Sequence, residues 1–270
     1  MLLRAEDLQS NLKRLREAIV SARCCDTAAD HESTARRAAD VMPLCHSTSA
    51  QGLSDAIEAG ALLSNEQRGA KSRRADIALN GTNEICFYLG SAAFPDNQFG
   101  FLFSNTLTDD VRGSASATPF DSGGCVSRYQ LPPGTDPFDH VRVHSMPVPE
   151  CRHYLGDLLA SHFDDPVAYL AGRPFACPAC MKPLVDPHGM TAIDDHGLVR
   201  MHEVRIPERV ELKTPSLIAL FTPQGNVQPY LAPLIASGVD LIPYDDQDGK
   251  DRDRALRRAS VDYILGKFLN

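Results

Sequence analysis

A polar quartet, His46-Ser47-Thr48-Ser49, stands just ahead of a stretch in which Leu53, Ala56, Ile57 and Gly60 follow helical spacing. Ser49 suffices to cap that helix, and Gly60 suits its left-handed end. The imidazole and the two further hydroxyls are then available to receive a polar ligand, together with free backbone N–H groups at the helix start. Ribose hydroxyls, an amide or a phosphate would suit such a place. Ordinary loop polarity is the plainer account of the same residues. Much later, in MHEVRIPERVEL (201–212), alternation puts Glu203 on the strand face of Met201 and opposite Val204 and Ile206. A carboxylate among apolar neighbours is costly unless it lies at an opening or has a partner. On an edge strand it would simply face water. The stretch is not an HExxH zinc motif, because position 206 is isoleucine.

Cysteine supplies two further candidates. Cys177 and Cys180 in CPAC have metal-ligand spacing, and Cys151 with His153 completes a candidate tetrahedral Zn2+ set. Plain thiols are the alternative. Cys125 follows PFDSGG and precedes His140 and His144, so it has the makings of a nucleophile with its base. Gly-Gly ahead of a cysteine also reads as a tight turn, and the loop from Pro119 to Gly124 is a candidate substrate-binding segment. The acidic run DDQDGKDRDR is not a calcium loop. A glycine at the sixth position would make Tyr244 the first ligand.

These residues need elements to position them. Leu8, Leu12, Leu15 and Ile19 predict an amphipathic helix over 5–22, and an Ala/Arg-rich helix is expected over 29–40. NEICFYL (83–89) and FGFLFS (99–104) read as buried strands joined by a turn-rich loop. The chain from 105 to 150 is dominated by turn residues. LVRMHEVRI (198–206) returns to strand character and stops at Pro207, VDLIPY (239–244) is a short strand, and SLIALFT (216–222) is a strand or short helix. The organisation expected is one domain over 1–270: N-terminal helices in 1–40, a core from 41–125 and 196–245, an insertion over 145–195 with a helix at 154–163, and a C-terminal helix over 250–270. Short strands separated by irregular connections favour α+β over a βαβ succession.

Composition limits the function classes. A net charge of −8 and a hydrophobic share of 43% describe a globular chain without a general electrostatic grip on nucleic acid. No apolar run approaches the roughly 20 residues of a membrane span, and the charged N-terminal stretch is not a secretory signal. No membrane partner and a cytoplasmic location are therefore expected. The eight cysteines, spread through a long chain, are expected as thiols rather than disulfides.

Taken in order, His-Ser-Thr before GLxxAIxxGxLLS, then the aromatic strand ICFYL, then Glu203-Val204-Arg205-Ile206-Pro207, the chain resembles the ADP-ribosyltransferase superfamily. It is most similar to the DarT-type DNA ADP-ribosyltransferase toxins. HSTS itself is closer to the His-x-Thr/Ser form of the poly-ADP-ribose polymerase and RNA phosphotransferase branches. Residues 105–195 have no counterpart in the resemblance.

The resemblance implies an α+β fold with a split antiparallel β-sheet core, flanking helices and an insertion. It implies NAD+ as substrate, with ADP-ribose transferred to a macromolecule (DNA, RNA or protein) or NAD+ hydrolysed. Glu203 would hold the ribose 2′-hydroxyl, stabilise the oxocarbenium-like state and help deprotonate the acceptor. His46 would bond the adenosine ribose, while Ser47 and Thr48 would hold the nicotinamide amide. Tyr88 would stack on the nicotinamide, and one of Arg68, Arg73 and Arg74 would neutralise the pyrophosphate. A toxin or phage-defence role with an antitoxin partner follows by the same resemblance. The rival readings are a non-catalytic nucleotide-sensing module of the same fold and a cysteine hydrolase using Cys125.

Overall fold

The structure, a computed structural model, describes residues 3–22, 29–71, 77, 83–92, 97–110, 115–127, 129–163, 165–171, 201–207, 209–226, 229–246 and 252–269. The chain begins with two helices, α1 (Ala5–Ala22) and α2 (Ala29–Val41). Leu8, Leu12, Leu15 and Ile19 are all buried, as their spacing predicts. Strand β1 (Leu44–Thr48), helix α3 (Ala50–Ala59) and strand β2 (Ala61–Leu63) follow without a break.

Next come β3 (Glu84–Leu89), β4 (Phe99–Phe103), a one-turn α4 (Leu107–Asp110), β5 (Ser116–Thr118) and α5 (Ser122–Ser127). Helix α6 (Pro137–His144) sits where only a turn was expected. Asp136 caps it by accepting from the N–H groups of Phe138 and Asp139, and Pro137 fits its first turn. The two-residue β6 (Met146–Pro147), α7 (Val148–His162) and α8 (Pro166–Leu170) complete the middle of the chain. The last part holds β7 (Glu203–Pro207), β8 (Arg209–Glu211), β9 (Leu217–Pro223), α9 (Ala232–Ala236), β10 (Asp240–Tyr244) and α10 (Arg252–Phe268).

Eight strands form one mixed sheet in the order β10-β9-β4-β1-β3-β7-β5-β6, with β2 and β8 paired separately. Every neighbour pair in the large sheet is antiparallel except β10 with β9. The fold class is therefore mixed α and β with a mostly antiparallel sheet. One face, carrying Phe87, Phe101, Val204 and Ala117, joins the main apolar core. Helices α2 and α7 pack together, α1 lies against α7 and β6, and α10 covers β9, β10 and β4. Tyr154, Leu155 and Leu158 of α7 belong to that same core, so the start of the 145–195 segment is built into the main packing. The rest of that segment beyond 171 lies outside the described residues.

The strand pairings are uneven at one place. β1 pairs with β4 over five residues and β3 pairs with β7 over five, whereas β1 and β3 pair only at Leu44↔Leu89 and Cys45↔Tyr88. Beyond Cys45 the two central strands part, and the quartet His46–Ser49 lies at that parting.

Candidate active site

The first half of the site is built by the β1–α3 junction. Ser49 caps α3, its side chain accepting from the N–H of Gly52 at 3.2 Å, and Gly60 closes the helix at φ 67°. His46 no longer has a strand partner on the β3 side. Its Nδ1 lies 2.8 Å from the carbonyl oxygen of Cys86 instead. A carbonyl only accepts, so Nδ1 carries the proton and Nε2 keeps its lone pair. Burial and the Arg68 charge push the imidazole pKa down to about 4. At neutral pH His46 is thus an uncharged acceptor, suited to a hydroxyl.

Arg68 completes this half. It pairs with Asp55 at 3.4 Å and donates to Asn65 at 2.6 Å, and its Nε has no partner among the described residues. A Cβ at Gly52 would lie 2.0 Å from Thr48 Oγ1 and 3.4 Å from an Arg68 nitrogen. The hydroxyl, the guanidinium and the first turn of α3 therefore converge on a point that only glycine leaves room for. Ser47 is differently placed. Its hydroxyl and carbonyl oxygens accept from Asn97 Nδ2 at 3.2 and 2.8 Å, so it ties the 97–98 segment to β1 rather than standing free for an amide. Arg73 and Arg74, the other two candidate pyrophosphate ligands, lie outside the described residues.

The second half is built on the opposite sheet face. Register places Tyr88, Glu203 and Thr118 side by side on β3, β7 and β5. Glu203 is 3% exposed, and α5 sits over it: the Ser122 N–H donates at 2.6 Å and the Ser122 hydroxyl at 3.0 Å to its two oxygens. Burial first, and then the neighbouring Asp121 carboxylate, raise the Glu203 pKa to about 7, against the opposing pull of Arg205 and the bonds from Ser122 and Cys86. Tyr88 is also buried, packed with Phe120, Cys125, Tyr129 and Met201, and its hydroxyl is held far above its ordinary pKa by desolvation. Tyr88, named above for stacking on nicotinamide, thus lies in the floor beneath α5.

The two halves meet at Cys86. Its backbone carbonyl accepts from His46, and its exposed side chain hydrogen-bonds Glu203. His46 and Glu203 do not touch, yet both contact the same residue of β3. The sequence did not single out Cys86, and it marked Asp121 and Ser122 only as members of the loop from Pro119 to Gly124. PFDSGG was visible as a tight loop, but only strand pairing reveals which carboxylate it covers.

Among the described residues, the other chemistry expected from cysteine is not assembled. Cys125 is buried, donates to the Pro137 carbonyl at 3.8 Å, and has its pKa pushed up to about 12 by desolvation and by Asp121. That is the opposite of an activated nucleophile. Cys151 is buried in the core face of α7 whereas His153, two residues on, is exposed; helical geometry sends the two side chains to opposite sides. They cannot complete one tetrahedral zinc site, which corrects that expectation. Cys177 and Cys180 lie outside the described residues, and no group of three or more metal-binding side chains occurs among the described residues.

No family model matches the chain. No curated protein matches it either. Among solved structures, DarT of Thermus sp. 2.9 in complex with NAD+ is similar at 10% identity, covering 76% of this chain and 96% of that one, with a TM-score of 0.41. DarT of Thermus sp. 2.9 in complex with ADP-ribosylated ssDNA is similar at 11% identity, covering 74% and 92%, with a TM-score of 0.40. Likeness at this level decides neither fold nor chemistry.

Proposed function

We propose that the protein is an NAD+-consuming ADP-ribosyltransferase with a split-sheet core, whose cleft opens where β1 and β3 part. The carrying observation is the junction at Cys86, which sets a neutral His46 and a buried Glu203 on two sides of one residue. The short β1–β3 ladder supports the split. His46 Nε2 accepts a ribose hydroxyl. Arg68, with Thr48 and the free N–H groups opening α3, takes the pyrophosphate; Arg73 and Arg74 remain candidates for the same task. Glu203 holds the nicotinamide ribose and stabilises the positive charge that develops at C1′ as nicotinamide leaves. Breaking the C1′–N bond leaves nicotinamide neutral, and a nucleophile of the acceptor takes its place. The acceptor is a macromolecule, nucleic acid or protein, and water is the default acceptor when none is bound. A toxin or phage-defence role, checked by an antitoxin, is the biological setting in which such an activity fits.

Closure of α5 over Glu203 favours a second reading, a nucleotide-binding module that does no chemistry. Nicotinamide release separates the two. Purified protein incubated with NAD+, alone and with DNA, RNA or lysate, is expected to release nicotinamide. Glu203→Gln is expected to lose at least about a hundredfold of that rate while keeping its far-UV circular dichroism. NAD+ binding without turnover in every mixture would instead identify the non-catalytic module.

A further inference from the structure

We propose that the segment 120–127 is an intramolecular latch on the candidate site, with Ser122 seated where a ribose hydroxyl of NAD+ would donate to Glu203. NAD+ then enters by displacing the segment. This rests on the transferase reading and adds the regulation of that site to it. Ser122 offers Glu203 two donors, its N–H at 2.6 Å to one carboxylate oxygen and its hydroxyl at 3.0 Å to the other. A hydroxyl on a carboxylate is also the contact a sugar makes, so the two compete for the same lone pairs. A group that only orients a carboxylate need hold one oxygen. Here both are engaged, Cys86 adds a side-chain bond, and Glu203 is 3% exposed. His46, Thr48 and Arg68 are half-buried by contrast, so the closure is local to the reacting end of the site.

The segment is built to move as one piece. Within it the Cys125 N–H donates to the Asp121 carbonyl at 2.9 Å, and the Ser127 hydroxyl donates to the Gly123 carbonyl at 2.8 Å. Tyr129 joins the same unit: its N–H donates to the Gly124 carbonyl at 2.9 Å, and its hydroxyl to Asp121 Oδ2 at 3.3 Å. A Cβ at Gly124 would stand 2.5 Å from the Tyr129 ring, so the ring lies directly on that turn. None of these contacts breaks when α5 leaves the sheet. The Ser122 pair is different, because it runs from α5 to β7 and must break. The segment then also lifts from Tyr88, with which Phe120, Cys125 and Tyr129 share one apolar cluster. One displacement thus uncovers both the carboxylate and the aromatic ring beside it. The closure that favours a module without chemistry becomes, on this account, a gate on the chemistry.

Binding and hydrogen exchange test the latch. Apparent affinity scales with the fraction of molecules whose site is open, so weakening the latch tightens binding. By calorimetry Ser122→Ala is expected to bind NAD+ about tenfold tighter than the parent, the scale of one lost hydrogen bond to a charged group. Affinity for ADP, which lacks the second ribose, should stay within about twofold. NAD+ affinity unchanged or weakened in Ser122→Ala overturns the proposal and leaves Ser122 a fixed support of the carboxylate. Equal tightening of NAD+ and ADP counts against the ribose seat. The parent supplies a second measurement that needs no variant. Its α5 amides should exchange faster with saturating NAD+ than without, against the usual slowing by a ligand; equal or slower exchange contradicts displacement. Without ligand, the same amides should exchange about tenfold faster in Ser122→Ala, while those of β3 and β7 keep their rates. Unchanged α5 exchange there removes the latch. Binding of NAD+ by neither protein refutes the transferase reading, and the unliganded exchange then decides the latch by itself.

Discussion

At the scale of single residues, His46 and Glu203 oppose one another in their response to pH. The folded pKa of His46 lies below its unfolded value, so its contribution to stability is present above about 6.5 and is lost as pH falls toward 4. Glu203 is raised from 4.5 to about 7, so the folded state holds a proton that the unfolded chain has released; stability declines as pH rises between those values. The two slopes partly cancel across pH 4.5–6.5 in the parent protein. In urea titrations His46→Gln is expected to lose stability between pH 5 and 7 relative to the parent, and Glu203→Gln to gain it, each by on the order of 1–3 kcal/mol. Equal pH profiles for all three proteins would remove both assignments. Cys125 belongs to the packing beneath α5, so Cys125→Ala should retain NAD+ consumption within about threefold, its cost appearing in stability instead.

At the scale of elements, the β1–α3 junction determines the cleft. The strand ends because Ser49 turns the chain and caps α3, and Gly60 stops that helix one residue before β2. Gly52 is needed for space rather than for its dihedral freedom: Thr48 Oγ1 occupies the place of its Cβ. Gly52→Ala should therefore destabilise by about 1–3 kcal/mol and weaken NAD+ binding, through displacement of Thr48 and Arg68. The double variant with Thr48→Ala should recover part of that stability, because the clashing oxygen is gone; additive losses in the cycle would contradict the proposed contact. The helix itself was legible from its apolar spacing and its caps. The parting of β1 from β3 was not, since it depends on His46 replacing a backbone partner with a ring nitrogen, a choice made across strands.

At the scale of the whole molecule, no described helix is long and apolar enough to cross a membrane. Helix α7 ties the middle of the chain to the core, with Tyr154 and Leu155 fully buried against the packing shared with α2. Leu155→Ala should lower the main unfolding transition by about 2–5 kcal/mol; a separate early transition would mean that 145–171 unfolds as its own unit. Much of the architecture was present in local patterns: the buried stripe of α1, the strands at 84–89, 99–103 and 240–244, and the opposite facing of Glu203 and Val204, whereas 217–223 read as strand or short helix and its pairing with β4 and β10 decides for strand. These follow from periods of 3.6 and 2, which a single chain displays without knowledge of its partners. Helix α6 was hidden by the Pro, Gly and Asp residues before it, although Asp136 and Pro137 are themselves start signals. By itself the sequence determined residue types, local periods and caps, including a histidine before a helix and a carboxylate on a strand. Tertiary structure alone decided that β3 lies between β1 and β7, so that Cys86 meets both, and that PFDSGG folds over Glu203 with a second carboxylate. Strand neighbours and burial are set by long-range packing, and it is desolvation by that packing that takes Glu203 from an ordinary acid to one titrating near neutrality.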